Sequence, residues 1–189
     1  MRKIVCLIFC WVSALQLSDQ TKTIERLRTH VQLAATDAIK LKALLELCDQ
    51  HSSLHKDSLY KYAAAARSLA QQQSNAVLSG KAAIAMSYAC LQAGNTDSAA
   101  IIIESALQKN SITDVNTRPL YFELAAQKAD CYGDASNYKE ALQLLYNIVG
   151  QAEQFKDSMV LAKNMNTIGV INYNIDDVRS KKASTISGF

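Results

Sequence analysis

The chain has 189 residues with one Pro, six Gly and 49% apolar residues, and it carries 20 basic against 17 acidic side chains. That length suits one modest domain, and the near-balanced charge excludes a basic field of the kind that attracts nucleic acid or anionic lipid. Ala, Leu and Gln are plentiful and favour helices, and no alternating run bounded by turn residues marks a strand, so an all-α class is expected.

Arg2 and Lys3 precede a continuous apolar run from Ile4 to Val12, and Val12-Ser13-Ala14 supplies small or apolar residues before polar Ser18-Asp19-Gln20-Thr21-Lys22. This is the layout of a secretory signal peptide over residues 1–20, with cleavage placed after Ala14 and a site near Ser18 as the alternative. The apolar run is too short for a membrane span. Leu7-Ile8-Phe9 before Cys10 lacks the small residues of a lipoprotein acceptor site. The expected location is therefore extracytoplasmic, and periplasmic in a bacterium.

An amphipathic leading helix is predicted over residues 21–36, with Ile24, Leu27 and Val31 on one face. Thr36-Asp37 signals an N-cap, and the next helix is predicted to run to about His51, burying Leu41, Leu44, Leu45 and Cys48. A turn over Ser52 to Asp57 leads into a helix from Ser58 to Gln72, with Leu59, Tyr62, Ala63, Ala66 and Leu69 at helical spacing. The pattern then restarts from about Asn75 to Ala93, breaks at Gly94-Asn95, and returns from Thr96 to Lys109. Asn110 to Thr117 reads as a polar connector, and Pro119 fits the first turn of the following helix. That helix is predicted to end near Tyr132. Its partner runs from Asn137 to about Phe155, with Asn137 and Glu140 spaced as a capping box. A last first-type helix is expected from Asp157 to Tyr173, followed over residues 176–189 by a polar tail, disordered or truncated, with no returning helix.

These segments repeat. Ala99 and Ala141 are 42 residues apart, and Leu59 and Ala99 are 40 apart. A period near forty-one built from helical segments implies a solenoid, whose repeats bury their apolar faces against one another instead of around one pocket. Residues 37–175 thus form an array of about three repeats and a half. Its open C-terminal end is expected to belong to a longer protein or to be covered by a partner or by self-association.

Ser87-x-x-Cys90-x-x-x-Gly94-Asn95-x-x-x-Ala99, followed by Ile103 and Ala106-Leu107, resembles the tetratricopeptide repeat. Ala129-x-x-Tyr132-x-x-x-Ser136-Asn137-Tyr138-x-x-Ala141, then Leu145, is similar, and Ile168-Gly169-x-x-Asn172-Tyr173 resembles the start of another copy. The first copy departs most, because Leu59 stands where the repeat has a small residue. The resemblance implies a right-handed α-solenoid, a superhelix of antiparallel helix pairs. The long period, after a signal peptide, resembles the extracytoplasmic sensor regions of bacterial histidine kinases and two-component-type regulators. The resemblance also implies a concave groove lined by the exposed face of each first helix. By motif this face carries Lys42, Leu45, Asp49 and Ser52, then Lys81, Ile84, Tyr88 and Leu91, then Glu123, Ala126 and Asp130, and finally Lys163, Asn166 and Tyr173. Tyr88 and Leu91 are the candidate apolar anchors, and Lys42, Lys81 and Lys163 the candidate partners of carboxylates. Against this stands a reading in which Tyr88 packs on a neighbouring repeat.

Little else could carry chemistry. Gly-rich phosphate loops and nucleophile motifs are absent from the sequence. Cys48, His51 and His55 would align as metal ligands only if one helix ran through all three, and Ser52-Ser53 argues that it ends sooner. Asp130 and Asp134 read as solvated carboxylates beside a turn, and Cys48, Cys90 and Cys131 as small fillers of the helix seams. The expected function is a non-catalytic scaffold that needs no cofactor and binds a protein or peptide segment, as the sensory part of a signalling protein. The alternatives are a self-assembling structural scaffold and a metal-dependent activity at Cys48/His51/His55.

Overall fold

A computed structural model describes residues 20–186 apart from residue 74, with side chains as far as residue 177. The signal-peptide reading therefore falls on residues outside those described. The described residues are entirely helical between their turns, and consecutive helices pack on one another. The chain divides into two compact units, one ending at Asn75 and the other starting at Ala76.

In the first unit, α1 covers residues 20–33, α2 Asp37–Cys48 and α3 Lys56–Gln72. Thr36 caps α2 as its sequence suggests, its hydroxyl accepting from the Ile39 amide at 3.3 Å. Leu41, Leu44, Leu47 and Cys48 of α2 are buried, as are Leu59, Ala63, Ala66 and Ala70 of α3. Leu59 fills a site that Ala holds elsewhere, and the facing residues of its own helix are alanines. Helix α2 ends at Cys48, short of His51, and a single 3₁₀ turn, His51–Ser53, follows it. The residues from Asp49 onward therefore leave the α2 face that was expected to carry them.

The second unit holds α4 Ala76–Gln92, α5 Thr96–Leu107, α6 Arg118–Asp134, α7 Tyr138–Gln154 and α8 Ser158–Ile186. Each helix packs on the next, and α6 also touches α4 and α8, so the three first-type helices lie side by side. One apolar cluster joins Cys90 of α4 and Ala99, Ile103 and Ala106 of α5 to Leu120, Leu124 and Cys131 of α6. A second joins the other flank of α6 (Phe122, Ala125, Ala129) to Ala141, Leu145 and Ile148 of α7 and Ile168 and Ile171 of α8. Helix α6 is thus amphipathic twice over, which is what stacking on both sides demands. At Gly80 the approach of α6 is so close that a Cβ would stand 2.5 Å from Leu120 Cδ2. Ser87, fully buried, is satisfied by donating to the Ile84 carbonyl at 2.8 Å.

Three helices in this unit end the same way. Gly94, Ser136 and Lys156 take left-handed φ values of 78°, 60° and 57°. The amides of Asn95, Asn137 and Asp157 then close back on the carbonyls of Cys90, Tyr132 and Ala152 at 2.9, 2.8 and 2.9 Å, the Schellman pattern.

Two sequence expectations are corrected here. The capping box at Asn137 does not form, since no side-chain bond caps α7 and the turn before it is held by backbone bonds instead. Residues 176–186 of the polar tail are helical, as α8 continues through Asp176 to Ile186. No Gly or Pro interrupts that stretch.

Candidate functional site

Helices α4, α6 and α8 together present a face that the core uses only in part. On α4, Lys81 is exposed, while Ile84, Tyr88 and Leu91 are half-buried. Ile84 and Leu91 lean on the cluster around Ile103, so part of each is already committed to packing. On α6, Glu123 is exposed, and Ala126 and Asp130 are half-buried, Ala126 resting on the α7 side. On α8, Lys163, Asn166 and Tyr173 are exposed. Thus the residues read as one groove do share three adjacent helices in this unit.

The electrostatics centre on Asp130. Burial pushes its carboxyl up to about 6, the Asp134 carboxylate one turn later pushes the same way, and the Lys163 ammonium opposes both. Asp130 is therefore not the solvated carboxylate its turn-like context suggests. Helix α6 runs on to Asp134 and α8 packs alongside it, which withdraws Asp130 from water. The packing of α8 beside α6 brings Lys163 within electrostatic reach of Asp130.

The flanks of this face are pinned by polar contacts that sequence spacing alone did not reveal. Lys128 of α6 donates to Glu104 of α5 and lies 5.9 Å from the Tyr132 ring centroid, and the Glu104 hydrogen bond raises its pKa. Arg118 donates from Nε to the Ile112 carbonyl at 2.8 Å and stacks 3.9 Å from the Phe155 ring, which in turn meets Phe122 edge-on. One side chain so ties the connector 108–117 to the α7–α8 turn. No pattern in the sequence joins residues so far apart.

In the first unit the four assigned residues separate. Lys42 is exposed, Leu45 is buried in the α2 face, Asp49 is the C-cap of α2, and Ser52 lies in the 3₁₀ turn. Lys42 instead borders an open cleft of about 530 Å³ shared with His30, Leu33, Ala34, Ala35, Ile39, Ala43 and Glu46. Leu33 and Ile39 are exposed there. The legible signal was their position off the buried stripes of α1 and α2.

Cys48, His51 and His55 do not share a helix face. Cys48 closes α2 with its thiol pushed up to about 12 by burial and then by Asp49, His51 sits in the 3₁₀ turn with its pKa lowered by burial, and His55 caps α3 by accepting from the Asp57 amide at 3.4 Å. Among the described residues no group of three or more His, Cys, Asp or Glu is placed to hold a metal ion. Nor is any described helix long and apolar enough to cross a membrane. No protein-family model matches the sequence, and comparison with curated proteins gives no match.

Proposed function

We propose that the α4/α6/α8 face of the second unit holds a segment of another protein by shape and side-chain contact, without turnover. The helix pairs are read as tetratricopeptide-like repeats wound right-handed. Their exposed first-helix face supplies apolar anchors at Tyr88 and Leu91, and charges at Lys81, Asp130 and Lys163. The observation that carries the reading is the side-by-side packing of three first-type helices that keep Lys81, Glu123, Lys163, Asn166 and Tyr173 exposed beside half-buried Tyr88, Leu91 and Asp130. Repeat stacking uses the flanks of each helix and leaves such a face available. On the same reading residues 1–20 direct export, and the chain is the extracytoplasmic sensory part of a signalling protein.

The test is capture of partners by the intact protein and by the double variant Tyr88→Ala/Lys81→Glu, with helix content checked by circular dichroism. Loss of the captured partner with unchanged helicity is expected. Equal recovery by both baits, or no specific partner for either, removes the groove. Mass measurement of the protein exported by a bacterial host tests the leader, with residues 1–14 expected to be missing.

A further inference from the structure

Sulfur in this protein comes in two settings. Cys48, Cys90 and Cys131 are buried, and burial pushes the Cys48 and Cys131 thiols up to about 12. Peroxide attacks the thiolate, so packing shields all three at neutral pH and a retained proton shields two of them again. Met86 of α4 is also buried, at 8% exposed, whereas Met159 and Met165 of α8 are 80% and 51% exposed. A thioether reacts without first losing a proton. Among the described residues, the sulfurs open to a small oxidant are therefore the two thioethers of α8.

These two are not equivalent. Met159 precedes Asn166 by seven residues, and Asn166 precedes Tyr173 by seven more. Seven residues make close to two helical turns, so the three side chains leave α8 along one stripe. Asn166 and Tyr173 belong to the face proposed to hold a partner, and Met159 extends that face toward the start of the helix. Met165 follows Met159 by six residues, which sets it about a third of a turn off the stripe. An exposed Met is a flexible apolar side chain suited to cover a partner's surface.

Oxidation reverses that character. The thioether sulfur gives a lone pair to one oxygen of hydrogen peroxide, the S–O bond forms as the O–O bond breaks, and the second oxygen leaves as water with both protons. The product is a polar sulfoxide, which a dithiol reductant and a sulfoxide reductase return to the thioether with loss of water.

We propose that Met159 is a reversible oxidation site on the partner-binding face, where hydrogen peroxide converts it to the sulfoxide and loosens the docked segment, while Met165 oxidises without that consequence. The switch rests on the groove proposed for the same face; the site of oxidation does not.

The experiment treats the purified full chain with dilute hydrogen peroxide at neutral pH. Peptide mass mapping should find one added oxygen at Met159 first and at Met165 next, with Met86, Cys48, Cys90 and Cys131 unchanged. Capture of the partner that Tyr88→Ala/Lys81→Glu fails to hold is then compared for wild type, Met159→Leu and Met165→Leu, each treated and untreated. Both sites are exposed and Leu keeps their apolar bulk, and circular dichroism confirms folding. Treated wild type and treated Met165→Leu should each hold their partner about tenfold more weakly. Treated Met159→Leu should hold it as before, and the reductase should restore the wild type. Oxidation of a buried thiol or of Met86 ahead of Met159 overturns the proposal. So does a treated wild type that keeps its partner, or protection by Met165→Leu in place of Met159→Leu. A mistaken groove shows itself differently, as untreated protein that captures no specific partner; that result removes the switch, and the oxidation map still decides the site.

Discussion

Helices α4 and α5 have 17 and 12 residues and are followed by the connector 108–117, whereas α6 and α7 have 17 residues each and are followed by the short turn 155–157. Both pairs nevertheless bury apolar side chains of their second helix at the same spacing: Ala99, Ile103 and Ala106 in one, Ala141, Leu145 and Ile148 in the other. What the repeat holds constant is the place where a small residue lets two helices touch and where the next large one enters the seam. Helix length is free to vary, provided something else anchors the chain before the next first-type helix. In the α4/α5 pair that anchor is polar. Asn110 is buried and donates to the Ala106 carbonyl at 2.8 Å, Thr117 donates to the Ser111 carbonyl at 3.0 Å, and Arg118 grips Ile112 and Phe155. In the α6/α7 pair it is a single left-handed residue, Lys156.

Truncating the shared position challenges this equivalence most severely. Ile103→Ala and Leu145→Ala should each cost about 2–5 kcal/mol in denaturant unfolding, because both side chains are fully buried among residues with little room to collapse. A large difference between them would mean that the pairs are not equivalent. Arg118→Ala comes next, with an expected loss of about 1–3 kcal/mol from its carbonyl contacts and ring stacking. Hydrogen exchange should quicken in 108–117 far more than in α4 or α5, and uniform quickening would show that the connector is not a separate anchor.

The turn residues give smaller and opposite effects. Gly94→Ala should destabilise by about 1 kcal/mol, while Ser136→Gly and Lys156→Gly should each stabilise by about 0.5–1 kcal/mol, since only Gly adopts the left-handed region freely. Calorimetry on the three variants checks the signs.

The effect at Asp130 depends on pH. Its folded pKa, about 6, lies above its unfolded value of 3.8, so the native state binds the extra proton between them and stability falls as pH rises through that window. Asp130→Asn should therefore raise Tm at pH 7, and the gain should vanish below about pH 4. A gain that persists in acid would assign the effect to packing instead of charge.

Much of this organisation could be read from residue spacing. The rows Ala63/Ala66, Ala99/Ala106 and Ala141/Leu145 mark where helices meet, and Gly94 marks a helix end, because each follows from local geometry. Other features arise only when distant segments meet. Helix α2 ends at Cys48 and the chain passes through a 3₁₀ turn to bury Leu54, and the helical course of residues 176–186 outlasts the apolar pattern used to trace it. For the candidate site the first-helix face of the second unit was legible, as a period carries residues to one side. The desolvation of Asp130 was not, as it depends on α8, whose flank arrives from more than thirty residues away. Ser136 and Lys156 hid two left-handed turns for a different reason, since neither residue type advertises that conformation.

Cys48, Cys90 and Cys131 are buried thiols outside any disulfide, and burial pushes Cys48 and Cys131 up to about 12. A sulfhydryl reagent at neutral pH thus finds little access to any of them, and little thiolate at Cys48 or Cys131, while the helices stay closed. Alkylation of each thiol becomes a clock for the opening of its own neighbourhood, with Cys48 timing the first unit and Cys90 and Cys131 the second, so that a mass spectrometer can learn whether the two units breathe together or apart.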